Sequence, residues 1–179
     1  MKKFIQLLTL SRIIAGPIIF ILVIFFQYFT VALTVFILAS LTDFMDGYLA
    51  RKFNAVSTLG AILDPIADKI LLTFVIIALS LELNSAFIAL SGSLILAREY
   101  WVGALREFNA RSDNIKATNV TFLAKVKTTI QLFALSLYLL FLSTGQALLI
   151  LIADLTLFIS LIITLQTAVS YTIASFSRS

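Results

Sequence analysis

Six apolar stretches, each about as long as a helix that crosses a bilayer, follow one another along this chain with only short breaks between them. They occupy about 13–29, 31–51, 58–81, 86–107, 120–143 and 146–175. A soluble domain of 179 residues needs polar surface over most of its exterior, and a chain that is 61% hydrophobic and 12% charged does not have it. The pattern predicts an all-α integral membrane protein with six transmembrane helices, forming one domain over residues 1–179 with no internal repeat.

The breaks between the stretches alternate in charge. The turns "QYFT", "ELNSA" and "STGQ" contain no Lys or Arg, whereas the N-terminus, "ARKFNA", "REFNARSDNIKATN" and the final "SRS" all do. By the positive-inside rule both termini and both basic loops are expected in the cytoplasm. For a bacterial protein that means a multi-pass protein of the inner membrane. The net charge of +4 is then a topology signal, aided by anionic headgroups, and does not predict nucleic acid binding. The opening "MKKFIQLLTLSRIIAGP" starts like a signal peptide but has no evident cleavage site, and is expected to be retained. Residues 2–10 set Lys2, Lys3 and Gln6 against Phe4, Ile5 and Leu8, which suggests a short interfacial segment before the first span; Arg12 is expected as an interfacial anchor, with approach to a site among the spans as the alternative.

Chemistry in this chain has few side chains to work with. It has no cysteine and no histidine, so thiolate sites and the commonest general base and zinc ligand are excluded. Carboxylates alone suit hard cations such as Mg2+ or Mn2+. Asp43 and Asp46 share one face of the second span, with Gly47 and Ala50 extending that stripe. Asp64 and Asp68 share a face of the third, with Gly60 one turn before Asp64. A short turn joins the two spans, which predicts antiparallel neighbours and four converging carboxylates. Each Asp costs roughly 2.5–3.5 kcal/mol near the centre of a membrane helix, so the four cost on the order of 10 kcal/mol, as much as a whole domain's stability. Arg51, Lys52 and Lys69 are too few to neutralise them, and one or two divalent cations would. Gly47, Ala50 and Gly60 leave either a notch for a flat ligand or a close helix contact of the small-xxx-small kind. Pro65 is expected to bend the third span and free a carbonyl within the cavity.

The stretch "DFMDGYLARKFNAVSTLGAILDPIAD" resembles, at every spacing, the signature of the CDP-alcohol phosphotransferase family, D-x2-D-G-x2-A-R-x8-G-x3-D-x3-D. Eight residues at fixed spacing carry the likeness. It implies a six-helix membrane enzyme, usually a homodimer, that moves a phosphatidyl group from CDP-diacylglycerol to an alcohol and releases CMP. It also implies that Asp43, Asp46, Asp64 and Asp68 bind a pair of metal ions, with Asp68 doubling as general base. Gly47, Ala50, Arg51 and Gly60 match the nucleotide-binding positions. The chemistry agrees with that implication. Carboxylate-held cations neutralise a pyrophosphate, and without His a carboxylate is the available base for the acceptor hydroxyl.

Arg98, Arg106, Lys125 and Lys127 form a second cluster, on the fourth and fifth spans. Arg98 lies deeper than snorkelling explains, and such a group suits an anionic acceptor, a phosphorylated alcohol held by forks and point charges. The alternative is that Arg98 pairs with Glu99 or Asp113 while the others mark the cytoplasmic side. "LAREYWVGALRE", "AKVKTT" and "LLTLSRIIAGP" resemble the bacterial phosphatidylglycerophosphate synthases of that family, which use sn-glycerol 3-phosphate. Cardiolipin and phosphatidylinositol phosphate synthases are the nearest rivals. A prenyltransferase is disfavoured by chain length, and a divalent-cation transporter leaves the A-R-x8-G portion unexplained. Asp154, in the last span, fits neither pattern, and Trp101 is as readily a packing group as a binding one.

Overall fold

The computed structural model describes residues 2–52, 58–112, 118 and 122–177, with side chains described for 7–42, 60, 63–112, 118, 123 and 126–177. Six helices follow in order, α1 Lys2–Ile24, α2 Phe29–Lys52, α3 Thr58–Glu82, α4 Ala86–Arg111, α5 Phe122–Thr144 and α6 Ala147–Phe176, and no strand occurs among the described residues. The apolar stretches read from the sequence correspond one to one with these helices. By length and composition three are apolar enough to cross a membrane: α1 over Leu7–Ile24, α5 over Val126–Thr144 and α6 over Ala147–Phe176. In α2 the uninterrupted apolar part is the shorter Phe29–Thr42.

Residues 2–10 differ from expectation. They continue directly into α1 as one helix instead of forming a separate segment. No Gly or Pro falls between Lys2 and Ala15 to end a helix there, and Thr9 and Arg12 tie this part of α1 to α3.

Three tight turns close one end of the bundle. Each contains a residue in the left-handed region, Gln27 (φ 54°), Asn84 (φ 45°) and Gly145 (φ 71°). Asn and Gly tolerate that conformation well, and Gln less so. After Asn84, Ser85 caps α4 by accepting from the Ile88 amide at 3.3 Å.

The helices pack in a ring. α1 lies against α2 and α3, α2 against α5, α5 against α6, α6 against α4 and α4 against α3, while α3 also touches α5. Among the described residues α2 and α3 are not in contact, and α1 stands between them. The expected pairing of their carboxylate-bearing halves concerns 43–52 and 58–62, where most side chains lie outside the described residues.

Around the turn-closed end the buried side chains are apolar: Ile19 and Val23, Ala32 and Phe36, Val75 and Leu79, Ile88, Leu135 and Leu139, Leu157. Outward faces are apolar too, as at Leu38, Leu90, Leu148, Leu155, Val169 and Ile173. A surface of that kind suits lipid and not water. Within this half Asp154 accepts a hydrogen bond from the Tyr138 hydroxyl at 2.5 Å, which accounts for a carboxylate the sequence left without a partner. The bond pins the register of antiparallel α5 and α6.

Close helix contact is set by small residues. A Cβ added at Gly16 would lie 3.3 Å from the Ile70 carbonyl oxygen and from the Leu71 Cα, so α1 approaches the α3 backbone directly. At Gly92 an added Cβ would lie 2.2 Å from Ile76 Cγ2, a β-branched methyl with little freedom to move. Gly92→Ala is therefore expected to lower stability by about 1–3 kcal/mol. Gly103→Ala, which meets only the flexible end of Lys69 at 3.0 Å, should cost much less. Unfolding midpoints of the two variants in detergent check this.

Candidate active site

The polar side chains gather at the opposite end of the ring. Asp64 and Asp68 are one turn apart on α3 and face a cavity of about 700 Å³ walled by α3, α4 and α5. Their side chains are 41% and 47% exposed. Gly60, one turn earlier, is buried. Behind the two carboxylates stands α1. Thr9 donates its hydroxyl to Asp64 Oδ1 at 2.7 Å. Arg12, with a side chain 0% exposed, donates one guanidinium nitrogen to the same oxygen at 3.3 Å and the other to Asp68 Oδ1. Arg12 is thus not the interfacial anchor expected from its position near the N-terminus. Burial at that site requires an anionic partner, and two carboxylates of the signature provide it. Thr9, Arg12 and Gly16 recur at i, i+3 and i+7, the one face of α1 that meets α3. That spacing was the available sequence signal.

The facing walls carry the cations. Glu99, on α4 and lining the cavity, accepts from Arg98 at 3.0 Å and from Lys127 of α5. Arg98 is 5% exposed; it donates its second terminal nitrogen to Thr167 Oγ1 at 2.9 Å and lies over the Tyr171 ring. Parallel α4 and α6 are joined further by Trp101 to Thr172 at 2.9 Å and Asn109 to Ser175 at 2.8 Å. Trp101 is therefore a bridge between α4 and α6. Arg106 is exposed on the cavity wall and has no carboxylate partner among the described residues. Lys69, whose role the sequence left open, lines the cavity with its ammonium 4.9 Å from the centre of the Tyr100 ring. Pro65 lies within the continuous helix α3 and also lines the cavity.

Of the positions singled out by sequence, Asp64, Asp68 and Arg106 meet in one cavity, and Arg98 and Lys127 join it through Glu99. The side chains of Asp43, Asp46, Gly47, Ala50, Arg51 and Lys125 lie outside the described residues. Among the described residues no three acidic side chains come together as a metal site. The donor chemistry nevertheless fits a hard cation. Two half-exposed carboxylates open from successive turns, with no nitrogen or sulfur ligand beside them. Thr9 is the site residue that sequence reasoning missed; Glu99, Arg12 and Lys69 were named there without being assigned to the site. Glu99 was legible only as the neighbour of Arg98, and its bridge to Lys127 spans two helices.

A family model described as CDP-alcohol phosphatidyltransferase matches residues 5–172. The chain belongs to that family. Members of it use divalent metal ions. A relative from Rickettsia felis is 42% identical over 171 residues, covering 92% of this chain and 90% of its own length. One from Rickettsia typhi is 41% identical over 96% of each chain, and one from Salmonella choleraesuis 37% identical over 73% of this chain and 72% of its own. All three are named CDP-diacylglycerol--glycerol-3-phosphate 3-phosphatidyltransferase.

In this chain the Arg12 bridge holds the orientation of Asp64 and Asp68. Residues that orient metal-binding or catalytic carboxylates typically contribute about 10- to 100-fold in affinity or activity. Arg12→Met is expected to lose activity on that scale. Arg12→Lys should fall between it and the parent, because one ammonium keeps the charge without the planar fork. Phosphatidyltransferase rates of the two variants, compared at equal folded fraction by size-exclusion profile, test the order.

Proposed function

We propose that this protein transfers the phosphatidyl group of CDP-diacylglycerol to sn-glycerol 3-phosphate, giving phosphatidylglycerophosphate and CMP. The observation that supports the reading is a single cavity lined by signature carboxylates Asp64 and Asp68 and, across from them, by Arg106 and by Glu99, which holds Arg98 and Lys127 behind it. The names of relatives sharing 37–42% of the sequence supply the acceptor.

Asp43, Asp46, Asp64 and Asp68 would hold Mg2+ or Mn2+, as a two-ion site. Bound there, divalent ions neutralise a pyrophosphate and stabilise the leaving CMP. Gly47, Ala50, Arg51 and Gly60 form the nucleotide subsite in this reading. Asp68 accepts the proton of the acceptor's primary hydroxyl, which attacks the lipid-side phosphorus. The acceptor phosphate is held by Arg106 together with Arg98, Lys125 and Lys127. Arg106 makes first contact because it is open, and Arg98 and Lys127 supply field from behind Glu99. Arg106 on one side and Asp68 on the other would orient a molecule that is anionic at one end and nucleophilic at the other.

The membrane disposition belongs to the same proposal. All six helices span the bilayer, with the turn-closed end outward and the cavity, both termini and the basic loops cytoplasmic. The outward apolar faces support this, and so does the placement of α3 and α4 charges around the cavity instead of toward lipid. The location is the bacterial inner membrane, and the assembly a homodimer, as the family resemblance implies.

CMP release by purified protein, with CDP-diacylglycerol, a divalent cation and one acceptor at a time, tests the reaction. Release is expected with sn-glycerol 3-phosphate and not with inositol 1-phosphate, phosphatidylglycerol or serine. Asp68→Asn is expected to abolish turnover while largely keeping nucleotide and metal binding. Loss of both bindings would make Asp68 chiefly a ligand.

A further inference from the structure

We infer that Gln131 reads the free secondary hydroxyl of the acceptor, an inference that rests on the phosphatidyl transfer proposed above. Gln131 is on α5, one turn beyond Lys127, and lines the same cavity as Asp64, Asp68 and Arg106. It is 1% exposed, and its Nε2 has no hydrogen-bond partner among the described residues. A buried amide left unpaired beside a cavity is a costly choice where Leu or Met would pack equally well. The cost is removed if a ligand hydroxyl completes its bonds.

The acceptor's own chemistry selects the group that Gln131 meets. Its reacting primary hydroxyl belongs at Asp68, and its phosphate at the Arg106 side of the cavity. The carbon between them bears a neutral hydroxyl that both donates and accepts. A carboxamide offers the matching pair, an N–H donor and a carbonyl acceptor, and carries no charge to compete for the phosphate. Sites built to bond a substrate hydroxyl discriminate against analogues that lack it, because the protein group is then left unpaired. A different, structural role is also defined by the fold. The Tyr138–Asp154 bond sets antiparallel α5 and α6 so that Gln131 falls close to the level of Ser160, whose buried hydroxyl likewise has no hydrogen-bond partner among the described residues. An amide serving only that helix contact would affect all acceptors alike.

The test compares sn-glycerol 3-phosphate with 3-hydroxypropyl phosphate, which has the same chain without the secondary hydroxyl, as acceptors for the full-length wild type and for Gln131→Met. The wild type is expected to favour sn-glycerol 3-phosphate by about tenfold or more in kcat/KM. In Gln131→Met most of that preference should vanish, through loss with sn-glycerol 3-phosphate and little change with the deoxy analogue. Equal loss with both acceptors, or an unchanged preference, would overturn the inference and leave Gln131 as a packing residue. Should the variant not fold, the wild type alone decides, since indifference to the hydroxyl contradicts the assignment. Turnover of neither acceptor by the wild type would instead overturn the transfer reading, and this inference with it.

Discussion

The guanidinium of Arg12, buried between α1 and α3, ties together the features that define this structure. A cation with no access to solvent requires anions, and Asp64 and Asp68 supply them from two successive turns of one helix. The same bridge keeps the two carboxylates from repelling each other out of line, and Thr9 adds a neutral bond to Asp64. Close approach of the two helices makes the bridge possible, and Gly16 permits that approach by presenting no Cβ to the α3 backbone. Packing and site geometry are therefore coupled at α1–α3. A change in either reaches the cavity.

Polar and apolar interactions are separated along the bundle axis. At the turn-closed end, uniqueness of packing comes from interlocked apolar side chains and a polar pair, buried Tyr138 with half-buried Asp154. At the other end α6 works as a polar brace. Thr167, Thr172 and Ser175 accept bonds from Arg98, Trp101 and Asn109, so α4 is held by directional contacts where it carries its charges. Between lipid-facing helices, packing and interhelical hydrogen bonds must do what hydrophobic exclusion does in water. Glu99 completes the arrangement by holding two cations, Arg98 and Lys127, with one carboxylate across the cavity from Asp64 and Asp68.

Much of this was legible in sequence because it depends on short-range periodicity. Hydropathy located all six helices, and the three turns without basic residues fall at one end of the structure. Asp64 and Asp68 had to share a face, since residues four apart on a helix always do. For Arg12 the sequence favours the interface over the site, because a basic residue near the N-terminus of an apolar helix is ordinarily interfacial and its partners lie more than fifty residues away. The placement of α1 between the described parts of α2 and α3 was equally hidden, since a short loop constrains where two helices meet but not what packs beside them.

The sequence by itself determined the helices, their apolar faces, the signature spacing and the family, all of which follow from local pattern and residue type. Tertiary structure alone decided which charges became partners. Pairing of Arg98 with Glu99 was one of the readings the sequence offered, but Arg98 and Lys127 were equally free to meet a ligand directly, and the bridge from Glu99 to Lys127 was not legible. Once the ring closes, burial removes water as a competing partner, and each charge must take the nearest group of opposite sign. That selection depends on distances between helices far apart in sequence, which no periodicity encodes.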